Sequence, residues 1–227
     1  MKKICLFFLF AFLHSFTAKA YYEFDKKLEK AYNLILGLHF TEAGELLKQE
    51  KTEKPGNDLT LLYENYIDFL KAFISEENSQ FELLKHNSGH RLHHLTIDKN
   101  NAASPFHLYI QSEIHIQQAL VRIKFEENIL SAGEIRKAYK LIERNSKLFP
   151  SFVLNKKVSG FLHGIIGAIP RKYNWLVDLA GMEGTVSGGL EELEQAYVEA
   201  GRGNYRSYQT EILFYLGNIY SVFNMSA

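Results

Sequence analysis

The dominant pattern along the chain is an apolar residue at every third or fourth position, beginning near residue 24. Leu28, Ala31 and Ile35 recur at these spacings, which place side chains on one face of an α-helix. No run alternates apolar and polar residues for long enough to predict a strand. The pattern therefore predicts an all-α protein. Helices are expected at 24–38, 41–54, 58–74, 81–95, 105–130, 132–148, 153–169, 172–179, 187–200 and 205–223.

Polar residues, glycines and prolines mark the expected helix ends. Thr41 and Asp58 are predicted to cap the second and third helices, since both types accept hydrogen bonds from the first turn. Ser104 followed by Pro105 is typical of a helix start, because proline is tolerated at the first helical position. Ser88-Gly89 is expected to interrupt the fourth helix.

Two segments share a spacing that is typical of tetratricopeptide repeats. Each has a small residue in a second helix, a large apolar residue four positions later and a proline twelve positions after the small one. These residues are Ala43, Leu47 and Pro55 in one segment and Ala138, Ile142 and Pro150 in the other. The spacing predicts an α-α superhelix of divergent tetratricopeptide-like helical pairs.

The last predicted helix carries the first-helix half of such a repeat. Leu216-Gly217 and Tyr220 reproduce its L-G-x-x-Y pattern, so a second helix is expected to begin near residue 226. We therefore expect an incomplete last repeat, which is either the truncated product of a longer ancestor or an exposed apolar face that pairs with another chain. The alternative is that this helix packs back as an ordinary terminal helix.

Several stretches resemble the tetratricopeptide repeat protein 39 family and its bacterial relatives. They are LGLHFTEAGELL, IRKAYKLIERN, VSGFLHGIIGAIP, WLVDLAGMEG and GGLEELEQA. Gly181 to Gly184 and Gly189 to Leu193 stand where the family has a G-F-x-G-type turn and a G-L-x-x-L helix, with Met182 replacing the usual aromatic residue. The resemblance covers most of the chain after residue 20. It implies a helical-repeat scaffold without catalytic residues, in a family whose members are longer at the C-terminus.

The first twenty residues have the organisation of a secretory signal peptide. Lys2 and Lys3 precede nine apolar residues at 4–12, and Ala18-Lys19-Ala20 is typical of a cleavage site. Nine residues are too few for a membrane-spanning helix, which needs about 20. We expect a signal peptide at 1–20, a helical-repeat domain at 21–227, and export to the periplasm or envelope of a bacterium.

The composition after cleavage excludes several kinds of site. Three lysines leave with the signal peptide, so 23 basic and 26 acidic residues remain and the net charge is −3. Nucleic-acid binding, which needs a clustered basic face, is not expected from this balance. The one cysteine also leaves, which excludes disulfides, thiolate metal sites and cysteine nucleophiles. We expect no cofactor and no enzyme activity, since no nucleophile or metalloprotease spacing is present.

Four histidines form the strongest candidate for a metal site. His86, His90, His93 and His94 are spaced by four, three and one, so a continuous helix would bring them near one face. Histidines at i and i+4 can share a zinc ion. No carboxylate lies among them, and surface histidines are the more ordinary interpretation. A small-molecule or metal-binding helical domain that uses this face is the alternative function.

The glycines between residues 160 and 189 suggest two further alternatives. A phosphate-binding loop is not favoured, because Glu191 and Glu192 follow the last glycine where a P-loop has lysine and Ser/Thr. Gly160, Gly164 and Gly167 lie on one face of an apolar helix and are expected to let a neighbouring helix approach closely. Membrane contact at this helix, aided by flanking basic residues, is the less favoured alternative. These residues are Lys156, Lys157, Arg171 and Lys172.

Aromatic residues give the expected binding surface. The chain has 13 tyrosines, and Tyr63, Tyr205 and Tyr208 are predicted to line a concave face of the repeat. Aromatic anchors of this kind contribute most of the binding energy at many protein interfaces. The sequence therefore predicts a non-enzymatic exported scaffold that binds a protein or peptide partner.

Overall fold

The computed structural model of this chain describes residues 22–97, 103–169 and 181–226, with side chains up to residue 221. Nine α-helices and one 3₁₀ turn (Arg206–Tyr208) form these ranges, which contain no strand, and the all-α prediction is confirmed. The helices are α1 (Lys26–Leu36), α2 (Phe40–Glu53), α3 (Leu59–Ser75), α4 (Asn78–Ile97), α5 (Pro105–Lys124), α6 (Asn128–Leu148), α7 (Leu154–Gly167), α8 (Val186–Arg202) and α9 (Gln209–Ser226).

Successive helices pack as pairs, namely α1 with α2, α3 with α4, α5 with α6, and α7 with α8. Two or three residues connect the helices within the first three pairs. Connections this short make the two helices antiparallel neighbours. The buried Ala43 and Ala138 lie in the second helix of their pairs, as the repeat spacing predicts. Helical pairing alone does not make a superhelix.

The odd-numbered helices form an inner layer and the even-numbered helices lie outside it. α3 lies between α1 and α5, and α7 between α5 and α9, whereas each even-numbered helix contacts the odd helices before and after it. The inner layer closes because Phe24 packs against the Tyr205 and Tyr208 rings, at centroid distances of 6.3 and 5.2 Å. Ser207 also donates a hydrogen bond to Glu29 of α1, at 2.6 Å. Side chains that would line an open concave surface therefore face one another in a common core.

The predicted helix 105–130 is wrong at its C-terminal end. Its start is confirmed, because the Ser104 side chain caps α5 and Pro105 takes the first position. α5 ends at Lys124, since Glu126 takes a left-handed φ of 61° and turns the chain. Ile129, predicted to lie in the same helix, belongs to α6.

Two other predicted boundaries also need correction. Thr41 is not a cap, because α2 begins at Phe40, after His39. Ser88-Gly89 does not interrupt α4, where the Ser88 hydroxyl donates to Asn65 of α3 at 2.8 Å and helps to hold the two helices together. The predicted helix 172–179 and the signal peptide 1–20 lie outside the described residues.

Glycines let α7 and α8 approach closely, as predicted. A Cβ atom added at Gly189 would lie 2.4 Å from the backbone nitrogen of Gly164 and 2.6 Å from the carbonyl oxygen of Gly160. One added at Gly167 would lie 2.4 Å from the backbone nitrogen of Val186. Backbone atoms cannot move aside cheaply, so these positions admit only glycine. The glycine face of α7 therefore packs inside the protein rather than against lipid.

The C-terminal helix α9 packs against α7 and α8 on one face only. Leu216 and Ile219 are buried, whereas Leu213 and Tyr220 are exposed. These contacts with α7 and α8 are those expected for an ordinary terminal helix that packs back. The exposed residues leave part of the α9 surface apolar. No helix in the described ranges is both long and apolar enough to cross a bilayer.

Candidate functional site

A fully buried ionic cluster lies at the centre of the inner layer. The Lys157 ammonium of α7 lies 2.9 Å from a Glu113 oxygen of α5 and 2.5 Å from a Glu211 oxygen of α9. The Lys157 side chain is 0 % exposed. Lys157 was predicted to flank a possible membrane contact, and its burial between two carboxylates shows that this assignment is wrong. Charged groups this deep are retained only when they are paired.

Tyrosine hydroxyls satisfy the oxygens of Glu211. Tyr32 of α1 and Tyr215 of α9 donate to them at 2.8 and 2.9 Å, and the Tyr66 hydroxyl of α3 lies at 2.6 Å. The Lys157 ammonium also lies over three tyrosine rings at 5.4 to 5.6 Å from their centroids, a distance at which cation–π attraction operates. These rings belong to Tyr109, Tyr208 and Tyr215.

The two carboxyl groups of the cluster have opposite pKa shifts. Burial raises the pKa of Glu113, and although Lys157 opposes this, the pKa stays above its ordinary value. Burial also acts to raise the pKa of Glu211, but Lys157 and the tyrosine hydrogen bonds outweigh burial and lower it. The Tyr66 hydroxyl lies 2.9 Å from Glu113 as well, and its single proton can serve only one carboxylate. Glu211 is therefore the better stabilised carboxylate of the two.

Lys157 in this setting is unsuited to amine chemistry. Burial lowers its pKa, but the two carboxylates more than offset this effect, and the pKa lies above its ordinary value. A lysine nucleophile needs a lowered pKa, because only the neutral amine attacks. The cluster therefore joins α5, α7 and α9 electrostatically and does not supply a reactive group.

An apolar groove opens between α3, α5, α7 and α9. Its volume is about 310 Å³, at the lower end of the range for ligand pockets. Phe214 lines it while remaining 63 % exposed, and Asn218 is the only polar side chain among the lining residues described. The lining residues are Phe69, Leu70, Phe73, Leu120, Phe161, Gly164, Ile165, Ala168, Phe214, Asn218 and Ile219. The groove can desolvate apolar groups but offers almost no polar contact.

The four predicted histidine ligands lie on α4 and are all exposed. The His86 and His90 rings approach to 4.4 Å between centroids. His94 instead lies 3.3 Å from a carboxylate oxygen of Asp58, at the start of α3. No group of three or more metal-ligating side chains with suitable geometry occurs among the residues that the structure describes. The histidine metal site therefore stays a prediction. Of the four histidines, His86 and His90 are the pair whose rings lie close together.

Two of the three predicted partner-binding tyrosines are interior residues. Tyr63 and Tyr208 are 0 % exposed, and their hydroxyls lie 2.5 Å apart. Tyr205 is half-buried and packs against aromatic rings that include Phe24 and Phe152. The closure of the inner layer is the physical reason, since it turns the expected concave surface into core. Their predicted role at an open surface therefore needs correction.

The α7–α8 pair holds a second polar cluster that the sequence analysis did not single out. The Ser159 hydroxyl and Nδ1 of His163 contact the same carboxylate, that of Glu192, at 2.5 and 2.9 Å. The hydrogen bond that His163 donates to the Glu192 carboxylate raises the pKa of His163 above its ordinary value. Ser159 and His163 each contact Glu192, so this is not the serine–histidine relay of a hydrolase. The sequence signal for this cluster was the spacing of Ser159 and His163, which are four residues apart and therefore lie on the same face of α7.

Gly181 and Gly184 lie in a structural turn before α8, and Gly188 and Gly189 lie in the first turn of that helix. Gly181 has a φ of 64°, a left-handed conformation that favours glycine, and Thr185 caps α8 by accepting from the backbone of Gly188. This agrees with the interpretation favoured over a phosphate-binding loop.

Neither the protein-family models, nor the curated proteins, nor the solved structures contain a match to this chain. The tetratricopeptide resemblance consequently rests on the motifs in the sequence alone.

Proposed function

We propose that this chain is a non-enzymatic helical scaffold that binds an apolar segment of a protein partner. The binding site is the groove between α3, α5, α7 and α9. The observation that supports the proposal is the composition of this groove, whose described lining is apolar except for Asn218. An amphipathic segment that places its apolar face in such a groove gains the free energy of burying that face.

The exposed residues beside the groove favour a protein segment over a small molecule. Leu213 and Phe214 of α9 are 51 % and 63 % exposed and extend the apolar surface beyond the recess. A small ligand enclosed by the groove gains nothing from the outer residues, whereas a helix or extended peptide laid across it covers them. The near absence of polar groups also leaves no means to orient a polar small molecule.

The proposal retains two predictions from the sequence, namely export to the periplasm or envelope and a role without catalysis. Glu113 and Glu211, whose pKa values are shifted, belong to the buried ionic cluster and do not line the groove. We place the scaffold in the periplasm or envelope of a bacterium because of the signal-peptide pattern at residues 1–20.

Site-specific photo-crosslinking tests the groove in the exported chain. A photoreactive residue at Asn218 should yield a discrete protein adduct, whereas one at the exposed Lys48 of α2 should not. The captured protein is then purified and titrated against wild type, Phe214→Ser and Val198→Ser, the last being an exposed apolar control on α8. Phe214→Ser should weaken binding about tenfold, since a buried aromatic anchor contributes on the order of 1.5–3 kcal/mol.

Two results would contradict the proposal. One is equal adduct formation at residues 218 and 48, and the other is a captured protein that binds Phe214→Ser as tightly as wild type.

The alternative function is metal or small-molecule binding at the histidine face of α4. The approach of His86 to His90 is the observation in its favour. Calorimetric titration with zinc distinguishes the two functions, because heat that is present in wild type and lost in His90→Ala supports the metal site. No heat from either protein removes it.

A further inference from the structure

The outer face of α6 is strongly basic. Five basic side chains on this helix are exposed, and at about 100° per residue they lie on one side of it. Buried residues such as Ile135, Ala138 and Ile142 occupy the opposite side and pack inward. The basic residues are Arg136, Lys137, Lys140, Arg144 and Lys147.

Few acids balance this face. α6 contains two, of which Glu134 is 8 % exposed and bonded to His115 and Lys137. Glu143 lies near the edge of the basic side, 3.8 Å from Lys147. Neither Lys140 nor Arg144 forms an ion pair with any residue that the structure describes. The five basic residues outnumber the two acids, so the face keeps a net positive charge, which attracts anionic partners.

Exposed aliphatic residues lie at both ends of the same face. Ile129 is 89 % exposed, and Leu130 and Leu148 are 54 % and 53 % exposed. Ile123, near the end of α5 and just before the turn into α6, is 51 % exposed. Large aliphatic side chains this exposed are unusual on a strongly charged surface, and together with the basic residues they form an amphipathic binding face.

We propose that this face of α6 binds the surface of an anionic phospholipid bilayer. The basic residues match the negative headgroups, and Ile129 and Leu130 insert at the boundary with the acyl chains. The aliphatic residues favour a bilayer over nucleic acid, which offers no apolar layer to them, and no aromatic side chain of α6 is exposed for base stacking. The contact is peripheral and does not involve the groove.

Vesicle flotation of the purified chain tests the proposal. The vesicles are pure phosphatidylcholine or phosphatidylcholine with about one third phosphatidylglycerol. Wild type should float with the anionic vesicles only, and salt raised to about 0.5 M should release it. Mass measurement of each variant establishes that all carry the same N-terminus, so that an uncleaved signal peptide affects every sample alike.

Matched variants separate this face from net charge. Lys140→Glu/Arg144→Glu should weaken partitioning about thirtyfold or more, at about tenfold per 1.4 kcal/mol and 1 kcal/mol per basic residue. Lys26→Glu/Lys30→Glu on α1 makes the same change in net charge, also at i and i+4 and at exposed positions, and should retain binding. Ile129→Ser should weaken it about fivefold, and Val198→Ser on α8 should not.

Several outcomes would overturn the proposal. They are equal flotation with both kinds of vesicle, equal loss in the α6 and α1 charge variants, or no flotation together with binding to a polyanion such as heparin.

Discussion

The inner helices contribute to two regions that differ in what covers them. α3 places Tyr63 and Tyr66 in the buried cluster and, one to two turns later, Phe69 and Phe73 in the groove. α7 does the same with Lys157 and Phe161. The same packed helices therefore form a sealed polar centre at one end and an open apolar recess at the other.

The difference lies in α1 and in Phe24, which is two residues before it. Tyr32 of α1 donates to Glu211, and Phe24 packs against Tyr208. Side chains of α1 and Phe24 therefore cover this end of the inner layer. No α1 residue is among those lining the groove. In this protein, the charged side chains buried at the sealed end each have a hydrogen-bond or ion-pair partner. The side chains that line the open groove are almost all apolar.

The strongest test of the sealed end is Lys157→Ala. It leaves Glu113 and Glu211 buried without their cation, and we expect a loss of about 3–5 kcal/mol in the free energy of unfolding. Lys156→Ala is the matched control. Lys156 is the neighbouring lysine, and its partly exposed ion pair with Glu199 contributes less than about 1 kcal/mol. Urea denaturation followed by circular dichroism measures both, and equal losses would contradict a sealed ionic centre.

The two carboxyl groups of the cluster are expected to respond differently to the same substitution. Glu211→Gln removes the ionised partner of Lys157 and should cost about 3 kcal/mol. Glu113→Gln should cost less than Glu211→Gln, because the raised pKa of Glu113 means that burial already disfavours its ionised form.

The pH dependence sharpens this contrast. A raised folded-state pKa means that Glu113 takes up a proton on folding, so wild-type stability falls as pH rises from its ordinary pKa through the folded value. Glu113→Gln should lack this decrease, which urea titrations at about pH 5 and about pH 8 would reveal. Equal losses of unfolding free energy for the two substitutions, or an unchanged pH dependence in Glu113→Gln, would contradict a raised pKa of Glu113.

The helices were predictable because their signal is local. Leu28, Ala31 and Ile35, spaced at three and four, are all fully buried in α1. The turn between α5 and α6 was missed because no glycine or proline marks it, and the left-handed residue that turns the chain is Glu126.

The cluster and the groove were not predictable because both depend on how distant segments pack. Lys157 and Glu211 are 54 positions apart, and Tyr63 and Tyr208 are 145 apart. The available signal was weak: Lys157 is a charged residue on an otherwise apolar helix face. Closure of the inner layer, which no local pattern encodes, decided that the tyrosines became core rather than binding surface.

Two neighbours on α9 compare the regions directly. Tyr215→Phe removes a donor to Glu211 at the sealed end and should cost about 1.5–3 kcal/mol, typical of a hydrogen bond to a charged group. Phe214→Ser at the groove should change stability by about 0.5 kcal/mol or less, because this side chain is already 63 % exposed. Thermal and urea unfolding measure both, and a larger loss for Phe214→Ser would show that the groove is part of the core.

The smallest expected effect concerns His163, which is half-buried at the α7–α8 contact and belongs to neither region. Glu192 raises its folded-state pKa above the ordinary 6.5, so the stability it contributes is fully present below that value and is lost as pH rises through the folded pKa. His163→Gln should therefore lose under about 1 kcal/mol near pH 5.5 and close to nothing near pH 9. Ser159→Ala, which removes an uncharged donor to the same carboxylate, should show a deficit that does not change over this window. If the His163→Gln deficit is also constant with pH, the histidine contributes by packing alone. Helix pairing outside the sealed centre would then not depend on charge at this contact.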